Sequence, residues 1–177
     1  MKNMPTGSEP ESFERRGYSV RGLANWVLDF ADEQRRPVSN MALNKLVFFA
    51  CERLLVEQGA LLTNAKIEAW EHGPVFREIY QSFKDCDDRP IRSRSRFFST
   101  ATGTMELATV HMHGADEAAV KAALSPLLSL SASRLRAISH IEGGAWHRVW
   151  WHEGDANPGM EITPALLLEA SSLEQPN

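Results

Sequence analysis

Six histidines and two cysteines carry most of the reactive chemistry available to this sequence. His140-x-Glu142 places a carboxylate near an imidazole, an arrangement that can orient a tautomer and produce a general base. Hydrolysis by that pair would also need a nucleophile or a metal. No Gly-x-Ser-x-Gly elbow is present, and neither Cys51 nor Cys86 has the surroundings of an activated thiol. Alternate residues of an extended chain point the same way, so His111-x-His113 would put two imidazoles on one side. With His147 and His152 they still form no His-Glu-x-x-His or comparable ligand spacing, and no metal is expected. A phosphate-cradling Gly-x-x-x-x-Gly-Lys loop and a Gly-x-Gly-x-x-Gly turn are both missing, so no nucleotide or other cofactor is expected. The titratable residues do not add up to a complete catalytic set.

The stretch Trp70-Glu71-His72-Gly73-Pro74-Val75-Phe76 gathers an indole, an imidazole and a turn. It predicts an extended run, Lys66 to Trp70, followed by a helix from Val75 to Lys84. Gly73 would be the N-cap and Pro74 the first helical residue, where its fixed φ suits a helix and its missing N–H has no partner to lose. Val75, Phe76, Ile79, Tyr80 and Phe83 would form the inward stripe. Free N–H groups at such a helix start would offer a dock for an acidic group. Trp70 and Pro74 are expected to be architectural.

The elements around this stretch are mostly helical. Ser19 caps a helix with Val20, Leu23, Ala24, Val27, Phe30 and Ala31 on one face, halted by Pro37. A second helix opens at Ser39 or Asn40 and closes at Gly59. It is apolar nearly all round, with Leu43, Leu46, Val47, Ala50 and Leu54 as its main stripe, so it should be the central helix. Lys45 is the exception, its stem on apolar surface and its ammonium reaching water or a carboxylate. Arg92, Arg94 and Arg96 read as a solvated edge, and Thr104 to Met112 as a strand able to pair with Lys66 to Trp70. Further helices follow over Asp116 to Leu128, bent or broken by Pro126, after Ser131 or Ser133, over Ala145 to Trp151, and after Thr163-Pro164. The expected fold is mainly α (α+β): a compact multi-helix domain over residues 19–170 with a small antiparallel β element. Residues 1–18 and 171–177 are expected to be mobile tails.

Composition narrows the function. Hydrophobic residues make up 43% of the 177 and charged residues 24%, as in ordinary globular domains. A net charge of −4 disfavours sequence-independent nucleic-acid binding, which rests on phosphate neutralisation. No apolar run approaches the roughly 20 residues of a membrane span, and the first residues lack the apolar core of a secretory signal, so a cytoplasmic setting is expected.

Three blocks then resemble a known family. Leu43-x-Lys45-Leu46-Val47-Phe48-Phe49-Ala50, Ile67-x-Ala69-Trp70-x-x-Gly73-Pro74-Val75 with Tyr80, and Ser139-His140-x-Glu142 with Trp146 are similar to the Panacea domain of SocA-like antitoxins and phage-associated GepA-like proteins. Gly143-Gly144-Ala145 before Trp146 departs from the spacer usual in that family, which often contains Pro. The resemblance implies a small, non-enzymatic bacterial domain that neutralises a toxin protein encoded next to it, by direct binding. A Clp-type protease is the implied partner where a family member works as a proteolytic adaptor. A His/Glu- or metal-dependent hydrolase is the competing class. A binding surface needs aromatic or arginine anchors, and Arg77, Arg148, Trp150 and Trp151 are the candidates. Trp146 is expected to face inward, leaving Trp150 or Trp151 partly exposed.

Overall fold

The computed structural model describes residues 13–152, 155–156 and 158–172. Its centre is α2 (Asn40–Gln58), buried around most of its circumference. Ser39 starts it, its hydroxyl accepting from the Ala42 N–H at 3.3 Å. Gly59 stops it in the left-handed conformation, φ +63°, with its N–H turned back to the Leu54 and Leu55 carbonyls. Leu43, Leu46, Leu54 and Leu55 are fully enclosed, each worth about 1.5–3 kcal/mol relative to exposure. α1 (Val20–Glu33) packs beside α2, started by Ser19 accepting from the Gly22 N–H.

The other helices surround this pair: α3 (Arg77–Phe83), which runs into a 3-10 turn at Lys84–Cys86, then α4 (Gly114–Leu124), α5 (Ala132–Ser139), α6 (Ala145–Trp150) and α7 (Pro164–Ser172). Of these, α3, α4, α5 and α7 touch α2 directly. The strands pair two by two. β1 (Glu14–Arg15) lies parallel to β2 (Ala60–Leu61). Antiparallel pairs are β3 (Ile67–Trp70) with β4 (Gly73–Phe76), β5 (Arg96–Ser99) with β6 (Thr104–Leu107), and β7 (Trp151–His152) with β8 (Asp155–Ala156). The fold is therefore mainly helical α+β, as expected. No helix among the described residues is long and apolar enough to cross a membrane.

Several expectations are corrected. The N-terminal boundary at residue 18 is too late. The Glu14, Arg16 and Tyr18 N–H groups donate to the carbonyls of Gly59, Leu61 and Leu62. The buried Asp116 carboxylate also accepts from Arg16 Nε at 2.8 Å and Tyr18 Oη at 2.7 Å. Residues 1–12 of that tail, and 173–177 of the other, lie outside the described residues; Ser171 and Ser172 belong to α7. Thr104–Leu107 pairs with Arg96–Ser99 rather than with β3. The helix expected over Asp116 to Leu128 does not bend at Pro126 but stops ahead of it, α4 ending at Leu124. Arg94 is not a bare edge residue, since it bridges Asp29 and Asp32 of α1.

Candidate functional site

β3 and β4 form a tight hairpin whose register sets Ile67 opposite Phe76, Glu68 opposite Val75, Ala69 opposite Pro74 and Trp70 opposite Gly73. Gly73 is not a helix N-cap and Pro74 is not a first helical residue; α3 begins at Arg77, after Phe76. Pro74 is tolerated because its pair makes no use of an N–H at that place. The Ala69 N–H and C=O turn outward to the Met160 carbonyl (2.8 Å) and the Gly159 N–H (2.7 Å). Gly73 has φ +107°, and a Cβ there would stand 2.6 Å from Lys45 Cε and 2.7 Å from Ser139 Oγ. Both backbone conformation and space therefore require glycine. Gly73→Ala should lower the free energy of unfolding by about 2–4 kcal/mol, combining backbone strain with overpacking. Gly59 has a similarly positive φ with open space around it, so Gly59→Ala should cost only about 1–2 kcal/mol. Urea melts of the two variants check the contrast.

Polar groups of α2 hold the hairpin. Asn44 Oδ1 accepts from the Phe76 N–H at 2.9 Å, while its Nδ2 donates to the Asn40 carbonyl. Asn40 Nδ2 donates in turn to the Tyr80 carbonyl at 3.1 Å. Among the described residues Lys45 Nζ meets no carboxylate. It is 1% exposed and donates to the Pro74 carbonyl at 2.9 Å. Burial, then the charge of Arg136, pushes its pKa down to about 7. From the sequence Asn40 reads only as a candidate helix cap and Asn44 goes unread, although polar residues one turn apart on an otherwise apolar helix are a readable signal.

The second block closes on the same place. Trp146 is buried, and its indole N–H donates to the Trp70 carbonyl at 2.8 Å. It stacks on Trp150 with centroids 5.5 Å apart and meets the His140 ring edge-on at 3.7 Å. His140 follows the last turn of α5; burial first, then the Arg136 and Lys45 charges, lower its pKa. Glu142 is exposed and contributes nothing to that shift, so the two do not form the imidazole–carboxylate pair suggested by their spacing. His111 and His113 are both exposed. Among the described residues no group of three or more His, Cys, Asp or Glu side chains could hold a metal.

The proposed anchors are dispersed. Arg77 is tied to Glu68 at 2.8 Å and lies over the Trp70 ring, whose indole N–H also donates to Glu68. Tyr80 sits partly exposed, edge-on to Trp70 at 4.8 Å. Arg148 pairs with Glu169. Trp150 is buried, and Trp151 is the exposed member of that pair at 47%.

The Lys45, Gly73-Pro74-Val75, His140 and Trp146 blocks thus meet at one hairpin, and comparison with known proteins explains the grouping. The family described as antitoxin SocA-like, Panacea domain, matches residues 43–147. The chain belongs to this Panacea-domain family. It is similar to Antitoxin SocA of Caulobacter vibrioides (strain NA1000 / CB15N), 32% identical over 142 residues, which span 80% of this chain and 73% of the relative. No solved structure matches. The Panacea-domain match takes in Asn44, Lys45, the β3–β4 hairpin, Tyr80, His140 and Trp146, and it ends before Arg148, Trp150 and Trp151.

Proposed function

We propose that this Panacea-domain protein is the antitoxin of a toxin–antitoxin pair and neutralises its toxin by direct protein–protein contact, without enzymatic turnover. The observation that carries this reading is the 32% identity to Antitoxin SocA across most of both chains. The geometry is compatible in two ways. The motif side chains are spent on holding one another, as Trp146 on Trp70 and Lys45 on Pro74 show. Apolar surface is left over elsewhere, on the β5–β6 hairpin. Arg96 stands opposite Leu107 and Phe98 opposite Met105, so all four share one face. Phe98 is 60% exposed, Met105 52% and Leu107 50%. Clustered exposure of this kind marks an interaction surface more strongly than the single Trp151.

The reading is tested by co-expression with the product of the neighbouring reading frame, in a host whose growth that product stops. Wild type should restore growth and co-purify with it. Phe98→Ser with Met105→Ser should weaken binding by about 100-fold, in the range of paired hot-spot losses, while the melting temperature holds. Trp151→Ala with Arg148→Glu is the rival surface, and loss of rescue there alone would move the contact to α6. Failure of wild type to rescue or co-purify would reject the antitoxin assignment for that pair.

A further inference from the structure

A cavity of about 480 Å³ opens between the start of α2, the β3–β4 hairpin and Tyr80. Pockets that hold small ligands run from roughly 300 to 1,000 Å³, with mostly apolar walls and a few polar groups. Met41, Trp70, Val75 and Tyr80 supply such walls, and Lys45 and Asn44 line it from α2. We propose that this cavity binds a carboxylate carried on an apolar group, with the Lys45 ammonium as its ion-pair partner.

The argument rests on an unbalanced charge. Lys45 has three N–H donors when protonated, and its one hydrogen bond goes to a backbone carbonyl. No carboxylate lies within ion-pair distance of it among the described residues. The charge that acts on it is another cation, Arg136. Among the described residues Arg136 Nε and His140 Nε2 are also buried without a hydrogen-bond partner, and the charges of Arg136 and Lys45 both act on His140. The carboxylates that line the cavity, Glu71, Asp87 and Asp88, are exposed, as are His72 and Lys84. A buried ammonium with no counter-ion costs stability, and a desolvated amine in a cleft is a recognised mark of a binding site. An incoming carboxylate would satisfy the remaining N–H donors, while the apolar body it is attached to would rest on Trp70 and Tyr80.

Calorimetric titration tests this with two probes: 3-phenylpropionate, standing for a free carboxylic acid, and N-acetyl-Gly-Phe, standing for a polypeptide C-terminus. Each is run beside its own amide, at pH 7 and pH 9. Between these values ordinary carboxylates stay ionised and ordinary imidazoles stay mostly neutral, so the change in affinity reports the lysine. At least one acid should bind in the millimolar range or tighter, about fifty-fold better at pH 7 than at pH 9 for an amine that titrates near 7, and its amide should not bind. Lys45→Met should abolish binding with the fold intact. Binding of the free acid alone assigns a small-molecule ligand, and binding of the dipeptide alone assigns a chain terminus. The proposal is overturned if neither acid binds, if an amide binds as well as its acid, or if Lys45→Met leaves affinity unchanged. The acid-against-amide comparison needs no variant, and none of these measurements involves a toxin, so the antitoxin reading stands or falls separately.

Discussion

Replacing Lys45 by Met will remove a rise in stability with pH that runs between about 7 and 10. In the unfolded chain a lysine keeps its proton to about pH 10.4; in the folded protein Lys45 releases it near 7. Across that window the unfolded state binds more protons than the folded one, so stability rises with pH. Below 7 both states hold the proton, and above 10.5 neither does, so the contribution is flat outside the window. The full rise is on the order of 5 kcal/mol, at about 1.4 kcal/mol per pKa unit. Cys51 works the other way at the alkaline end: burial raises its thiol to about 12, so the unfolded chain ionises first and stability falls above about pH 8.5. His140, with its lowered pKa, completes its own titration below about 6.5. The difference between wild type and Lys45→Met removes the Cys51 contribution; His140, whose pKa Lys45 helps to lower, differs between the two proteins at the acid end. Urea denaturation at several pH values gives it, and parallel curves for the two proteins would show that Lys45 is solvated.

The other large effect lies at Trp146. Trp146→Ala should cost about 3–5 kcal/mol for the lost packing, with about 1 kcal/mol more for the stranded Trp70 carbonyl. Set against the 5–15 kcal/mol that typically holds a domain together, that brings the variant close to unfolding at growth temperature. Trp146→Phe keeps most of the stacking on Trp150 and His140 but loses the hydrogen bond to Trp70, and should cost about 1–2 kcal/mol. Trp151→Ala, on an exposed side chain, should stay within about 0.5 kcal/mol of wild type. Circular dichroism melts rank the three. A Trp146→Ala protein as stable as Trp151→Ala would show that the indole is not a core residue.

What could be read from the sequence was what is decided locally. Ser19, Ser39, Gly59 and Ser131 end or begin their helices through bonds within a few residues, and the buried faces of α1 and α2 follow from spacing alone. The hairpin was misread because Gly-Pro suits a helix start as well as a strand, and the choice is made by distant groups. Asn44 claims the Phe76 N–H, Lys45 claims the Pro74 carbonyl, and residues 159–162 take the outer edge of β3. The alternation over Thr104–Leu107 announced a strand without naming its partner. Three tryptophans within Trp146 to Trp151 exceed what one short helix buries on a single face, but which of Trp150 and Trp151 stays outside depends on how α6 rests against Trp146. Lys45 offered the sequence reader only its length; that its ammonium ends inside the protein depends on a hairpin nearly thirty positions away.

The outer edge of β3 also bears on the order in which the chain is made. Ile67 and Ala69 find their partners in Met160 and Ile162, which leave the ribosome long after the hairpin does, a delay of roughly 5–20 s at ordinary synthesis rates. During that interval the nascent hairpin presents an open strand edge, the feature most prone to pair with a neighbouring chain. A message truncated before residue 159 would leave that edge open for good. Quality control of such fragments is therefore a demand set by the fold, because residues 159–162, which cover that edge, follow far behind the hairpin in the chain.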